Sequence, residues 1–208
     1  MLLIFDLDGT IIDSEKAHFN SFVKAIARRG FKLNSAQKVE ITSRFGMLAK
    51  EIIKGVLPKI SDSEAANISD DVKKISVSEE FHNVKFIKGA KEFIINNYKK
   101  HDLAIATNSS KTFTDTALKE LKIDKFFKKS VTANDVKNAK PDPEMIELII
   151  KELSYSKKDC VYIGDSIFDY LSAKKAGIRF IAVLSKSDYK EKLKKLAENY
   201  ADLSKVKL

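Results

Sequence analysis

The chain has one cysteine in 208 residues, so an internal disulfide is impossible and cysteine-based zinc clusters are excluded. That residue, Cys160, opens the apolar stretch "CVYIG", where a thiol packs as a small hydrophobe rather than serving as a nucleophile. No stretch approaches the roughly 18 to 20 unbroken apolar residues of a membrane span. The apolar run that opens the chain meets acidic residues too early to be a signal peptide. No block of five or six like charges occurs either, although 38 Lys and Arg against 29 Asp and Glu leave a formal net charge of +9. The lysines are scattered with acids between them, which fits a solvated surface better than a nucleic-acid footprint. Such a surface still draws small anions toward any site it surrounds. The expectation is a cytoplasmic protein with neither membrane nor nucleic acid among its partners.

With 44% of its residues apolar, the chain can bury a full core. Short apolar runs alternate with helix-like stretches. "LLIF" ends at Asp6, "LAIA" at Thr107, "VYI" at Gly164 and Asp165, and "FIAVL" at Ser185. These read as buried strands of a parallel sheet, with a weaker fifth around "SVT", Ser130 to Thr132. Helical patterns lie between them: Ala90 to Lys100, Lys111 to Leu121, Pro143 to Leu153 with proline in the first turn, and Ile167 to Ala176 closed by Gly177. The alternation predicts an α/β fold with a doubly wound parallel sheet. From Ser14 to about Asn83 the rhythm breaks, and helical patterns alone occur. They run from Phe19 toward Gly30, then over Ser35 to Phe45, Ala49 to Leu57 and Ser63 to Val77. The expected division is therefore a core of residues 1–13 and 84–208 with a helical insert over 14–83.

In an open parallel sheet, ligands bind beyond the carboxyl ends of the strands, where strand order reverses. Asp6, Asp8, Thr107, Asp165 and Asp169 all fall at such ends. Any one alone reads as a turn or helix-cap residue. Together they make an acidic edge without histidine or cysteine, which calls for a hard cation such as Mg²⁺ bridging to substrate phosphate oxygens. A calcium-binding loop is ruled out, because Gly9 is fourth and Ala17 twelfth where glycine is wanted sixth and glutamate twelfth. Lys140, between Ala139 and Pro141, sits on a constrained loop. With the Thr107 hydroxyl and a backbone N–H it makes a cradle for an anion.

These segments resemble the haloacid dehalogenase superfamily of phosphotransferases. "DLDGT" (Asp6 to Thr10), "TN" (Thr107, Asn108), "KPDP" (Lys140 to Pro143) and "GDSIFD" (Gly164 to Asp169) occur in that family's order. The resemblance implies a Rossmann-like core with a small helical cap between the first and second motifs. It implies a nucleophile at Asp6, an acid and base at Asp8, and Mg²⁺ held by Asp6, Asp165 and the Asp8 carbonyl. Thr107, Asn108 and Lys140 would bind phosphoryl oxygens, and Asp169 would support the metal waters or orient Lys140. His18 and Arg44 are candidate cap contacts to substrate, although a histidine there is more often structural; Lys50 and Lys54 could also reach, and like Arg44 each also fits a solvated helical face. The family's dehalogenases lack the second aspartate, so Asp8 argues against carbon–halogen cleavage.

Phosphoglycolate phosphatases are the nearest pattern. "DSEKAH" (Asp13 to His18) also resembles β-phosphoglucomutase, but Thr107 and Asn108, Gly164, and Met47 to Lys50 after Gly46 depart from it. The expected activity is hydrolysis of a small phosphorylated metabolite by a monomer or weak dimer. A sugar-phosphate mutase and a non-enzymatic nucleic-acid-binding module remain the alternatives.

Overall fold

The computed structural model describes residues 1–184, 189–197, 199–201 and 203–206. In chain order the elements are β1 Leu2–Phe5, β2 Ile12–Asp13, α1 Glu15–Arg28, α2 Ser35–Ser43, α3 Ala49–Val56, α4 Asp62–Ser78, β3 Lys85–Phe86, α5 Ala90–Asn97 and β4 Asp102–Thr107. They continue with α6 Lys111–Glu120, β5 Phe127–Thr132, α7 Glu144–Glu152, β6 Cys160–Gly164, α8 Ile167–Ala176, β7 Arg179–Val183, α9 Lys190–Leu196 and β8 Asn199–Ala201. The residues fall into two compact units, 1–13 with 85–208, and 14–84.

The first unit is built on a parallel sheet ordered β5-β4-β1-β6-β7-β8. Central β1 pairs Leu2 with both Asp102 of β4 and Cys160 of β6. The chain moves outward from β1 through β4 to β5, then returns to β6 on the other side, so strand order reverses at β1. Its residues are aliphatic or aromatic on both faces because helices cover both. On one face Leu2, Ile4, Ala104, Ala106 and Tyr162 pack on Met145, Ile146 and Ile149 of α7 and Ala173 of α8. On the other, the Phe5 ring meets Phe93 of α5 and Phe127 of β5 edge-on, at centroid distances of 6.0 and 6.2 Å. The α/β, doubly wound expectation therefore holds.

Three local differences have physical reasons. Helix α7 starts one residue later than expected, because the Asp142 carboxylate accepts the Glu144 N–H at 3.1 Å and leaves Pro143 as the cap residue. A sixth strand, β8, pairs with β7 through Ile181 and Asn199, and its three residues are too few to show an alternating pattern. A two-residue antiparallel ribbon, β2 with β3, joins the points where the chain leaves and re-enters the first unit. The described part of the "FIAVL" strand ends at Val183; Ser185 lies outside the described residues.

The second unit is helical. Asn34 caps α2, accepting the Gln37 N–H at 2.9 Å while the Gln37 side chain accepts the Asn34 N–H at 3.0 Å. Ser61 caps α4 by accepting the Glu64 N–H. Phe22 and Ile26 of α1, Ile41 of α2, Ile52 and Ile53 of α3, and Ile68 and Val72 of α4 form its buried core. Among the described residues, no helix is long and apolar enough to cross a membrane.

Candidate active site

Asp6 follows β1, and its N–H donates to the Ile163 carbonyl of β6 at 2.9 Å, so the sheet ladder carries the residue to the edge. The chain then turns back on itself: the Ile11 and Ile12 N–H groups both reach the Leu7 carbonyl, and Gly9 takes φ 77°. The turn aims Thr10 at the next strand end, where its hydroxyl donates to Asp165 Oδ1 at 3.2 Å. Beyond Asp165, Ser166 caps α8 and donates to Asp169 Oδ2 through its N–H (2.9 Å) and its hydroxyl (2.7 Å). Asp169 is fully buried.

Lys140 is 5% exposed. Its ammonium donates to Asp6 Oδ1 and Asp169 Oδ1, each at 2.7 Å, and lies 3.0 Å from the Tyr162 hydroxyl and 3.1 Å from the Ala106 carbonyl. The loop that delivers it is pinned from three sides. The Asn108 amide brackets the Lys140 backbone with two 3.0 Å bonds, Glu144 accepts the Lys137 and Asn138 N–H groups at 2.9 Å, and Ser172 donates to the Asp142 carbonyl at 2.8 Å.

Carboxylate oxygens of Asp6, Asp165 and Asp169 lie within 4.8 Å of one another. Three ionised carboxylates against one ammonium would leave two uncompensated negative charges in a buried place. The groups respond accordingly. Burial, then the charge of Asp169, raises the Asp6 carboxyl to about 7 against the pull of Lys140. Burial and the charges of Asp169 and Asp6 push Asp165 well above the carboxylate range. Burial opposes charge on Lys140, but Asp169 and Asp6 outweigh it and hold the ammonium above its ordinary value. Burial and Asp169 likewise keep the Tyr162 hydroxyl protonated. A divalent cation would balance the cluster, and the all-oxygen donor set fits a hard ion. Asp169 is the poorest ligand of the three, since Lys140 occupies one of its oxygens and Ser166 the other. Asp6, whose Oδ2 lies opposite the lysine-bound Oδ1, and Asp165 suit a cation better.

The other expected residues are placed as follows. Asp8 is half-buried, and its Oδ2 accepts from the Ser109 hydroxyl at 2.5 Å. Buried Thr107 accepts the Ser109 N–H at 3.1 Å. The Asn108 amide, expected at a phosphoryl oxygen, also meets the Lys140 backbone, its oxygen accepting the Lys140 N–H and its Nδ2 donating to the Lys140 carbonyl. In the second unit, Arg44 pairs with Glu40 one helical turn away at 2.7 Å and fills the space over Gly55. There it is an intra-unit brace. His18 meets Phe45 edge-on, with centroids 6.3 Å apart. His101, beyond α5, has its pKa lowered by burial and by the terminal ammonium and Lys100. Sequence reasoning missed Ser109, Thr10 and Tyr162 as members of this network. Ser109 follows the "TN" pair directly, and a tyrosine inside an aliphatic buried strand announces a hydroxyl in need of a partner.

The profile of the family described as haloacid dehalogenase-like hydrolase matches residues 3–183. The chain belongs to that family. It is thus an enzyme of the hydrolase class. Among curated relatives, the pyrophosphatase PpaX of Halalkalibacterium halodurans is 27% identical over 87% of this chain and 82% of that protein. The phosphoglycolate phosphatase of Pseudomonas fluorescens is 25% identical over 88% of this chain and 68% of its own length. Among solved structures, CbbY from Rhodobacter sphaeroides in complex with phosphate superposes with a TM-score of 0.84 at 20% identity, covering 98% of this chain and 95% of that one. That likeness is one of fold.

Proposed function

We propose that this haloacid dehalogenase-like hydrolase is a phosphatase that cleaves a small phosphomonoester through an aspartyl-phosphate on Asp6. The observation that carries the reading is the buried Asp6 carboxylate held at 2.7 Å by Lys140, beside Asp165 and two residues from Asp8. The phosphatase names of the PpaX and phosphoglycolate phosphatase relatives support it. Asp6, Asp165 and the Asp8 carbonyl are the groups to hold Mg²⁺, which when bound supplies positive charge to a phosphoryl group and opposes each influence that raises the Asp6 pKa.

A carboxylate oxygen of Asp6 attacks phosphorus, and the bond from phosphorus to the leaving oxygen breaks. Asp8 gives its proton to that oxygen as it departs, and then accepts a proton from water. The resulting hydroxide attacks phosphorus, the bond to the Asp6 oxygen breaks, and inorganic phosphate leaves with Asp6 and Asp8 restored. Lys140 neutralises Asp6 and shares in phosphoryl binding, while Asn108 and Glu144 hold its loop. Ser109 orients Asp8. The helical unit, residues 14–84, is assigned the choice of leaving group.

The test is phosphate release from a panel of phosphoglycolate, sugar phosphates and pyrophosphate. EDTA should abolish turnover and Mg²⁺ restore it, whereas Ca²⁺, with its looser coordination, should inhibit. Turnover unchanged in EDTA would remove the metal from the scheme.

A further inference from the structure

The Lys140 ammonium carries three N–H donors but has four acceptors within 3.1 Å: Asp6 Oδ1, Asp169 Oδ1, the Tyr162 hydroxyl and the Ala106 carbonyl. The two carboxylates, at 2.7 Å and charged, take two donors. The third donor is contested between Tyr162 and Ala106. The tyrosine hydroxyl resolves the contest, because it lies 2.7 Å from the Ala106 carbonyl and can donate its single hydrogen there, while its oxygen faces the lysine at 3.0 Å. Its other neighbour, Asp169 Oδ1 at 3.1 Å, is farther away and already bound by the lysine.

We propose that Tyr162 is a positioning residue that keeps one Lys140 N–H available to an incoming phosphoryl oxygen by supplying the Ala106 carbonyl with a donor of its own. A neutral phenol oxygen holds an ammonium hydrogen weakly, and a phosphoryl dianion displaces it. A buried peptide carbonyl that lost its donor would not yield so readily, since a buried acceptor left unpaired is costly. With phenylalanine at 162, Ala106 captures the third N–H, and Lys140 is saturated by Asp6, Asp169 and Ala106. The anion then meets a lysine with nothing left to donate. Tyr162 touches neither substrate nor reacting atoms in this scheme; it acts through Lys140.

The inference rests on the phosphatase reading, so the experiment has one arm that needs no turnover. In the first arm, the ¹H–¹⁵N signal of the Lys140 ammonium in the wild-type protein is titrated with inorganic phosphate. The signal should move on phosphate addition, and a signal that stays still overturns the proposal even if Tyr162→Phe proves unstable. In the second arm, Tyr162→Phe should shift the resting Lys140 signal and weaken inhibition by inorganic phosphate about tenfold. KM should rise in parallel and kcat should change far less, the pattern of lost binding shared by ground and transition states. A purely structural tyrosine would lower the melting temperature and leave the phosphate inhibition constant alone, and that result rejects the proposal. If the wild-type protein releases phosphate from no ester while its Lys140 signal moves with phosphate and Tyr162→Phe weakens that response, the phosphatase reading fails and the positioning role stands.

Discussion

Gly9 faces the Asp165 carboxylate so closely that a Cβ on Gly9 would stand 2.2 Å from Asp165 Oδ2. With φ at 77°, the position is also one that L side chains rarely adopt. The turn after β1 and the loop after β6 are thus interlocked. Gly9→Ala should strain the backbone by roughly 1 kcal/mol or more and displace Asp165. Displacement at that scale typically costs about 10²-fold in turnover. A thermal melt and a Mg²⁺ titration of activity measure the two effects separately, and a Gly9→Ala protein with unaltered Mg²⁺ dependence would contradict the interlock.

The two aspartates of "DLDG" should fail differently. Asp6→Asn should eliminate both turnover and covalent labelling, because a neutral amide is a poor nucleophile. Asp8→Asn should slow turnover by roughly 10² to 10⁴. It should also accumulate phosphate on Asp6 when supplied with an aryl phosphate, whose leaving group needs little protonation. Mass spectrometry at low pH detects the added phosphate, and label on the Asp6→Asn protein instead would reverse the two roles.

Glu144 ties the Lys140 loop to acid stability. Its carboxylate accepts the N–H groups of Lys137 and Asn138, and these bonds lower its pKa below the ordinary value. A carboxyl whose folded-state pKa is depressed contributes stability above the unfolded-state pKa and loses it as pH falls through the folded-state value. Glu144→Gln should therefore melt lower than wild type at pH 7, and the gap should narrow as pH falls below the ordinary glutamate value of about 4.3. A gap that does not narrow on acidification would show that the carboxylate charge is not the source.

The excess of 38 basic over 29 acidic side chains should speed the capture of anionic substrates. Raising ionic strength from low to physiological values should lower kcat/KM modestly for a phosphorylated substrate. Gel-shift measurements should show no tight complex with generic duplex. Micromolar duplex binding that collapses steeply with salt would favour the nucleic-acid alternative.

Much of the sheet was legible because β1, β4, β6 and β7 are near-continuous apolar runs that end in oxygen-bearing residues. The order of the motifs also indicated that Asp6, Lys140, Asp165 and Asp169 belong to one edge. The geometry among them was not legible. Nothing in "NAKPDPE" says that the lysine is buried and braced between two carboxylates, since its partners lie 134 and 29 residues away. Nor does a sequence show which backbone the Asn108 amide will bracket. Tyr162 passed as an ordinary strand residue, since strand patterning scores it as apolar and ignores its hydroxyl. Nor does the sequence show that Arg44, a cation on a helix, pairs with Glu40 one turn away.

The placement of β1 has a consequence for the order of assembly. Both of its neighbours come much later in the chain, with Leu2 paired to Asp102 and to Cys160. The helical unit, whose contacts close within residues 14–84, pays far less loop-closure entropy than either pairing. Asp6 waits on the far side of both closures, and Asp165 arrives only with β6. Recovery of catalysis after dilution from denaturant is therefore a clock for the last and most distant contacts of the chain, whereas recovery of helical signal is weighted toward the nearest ones.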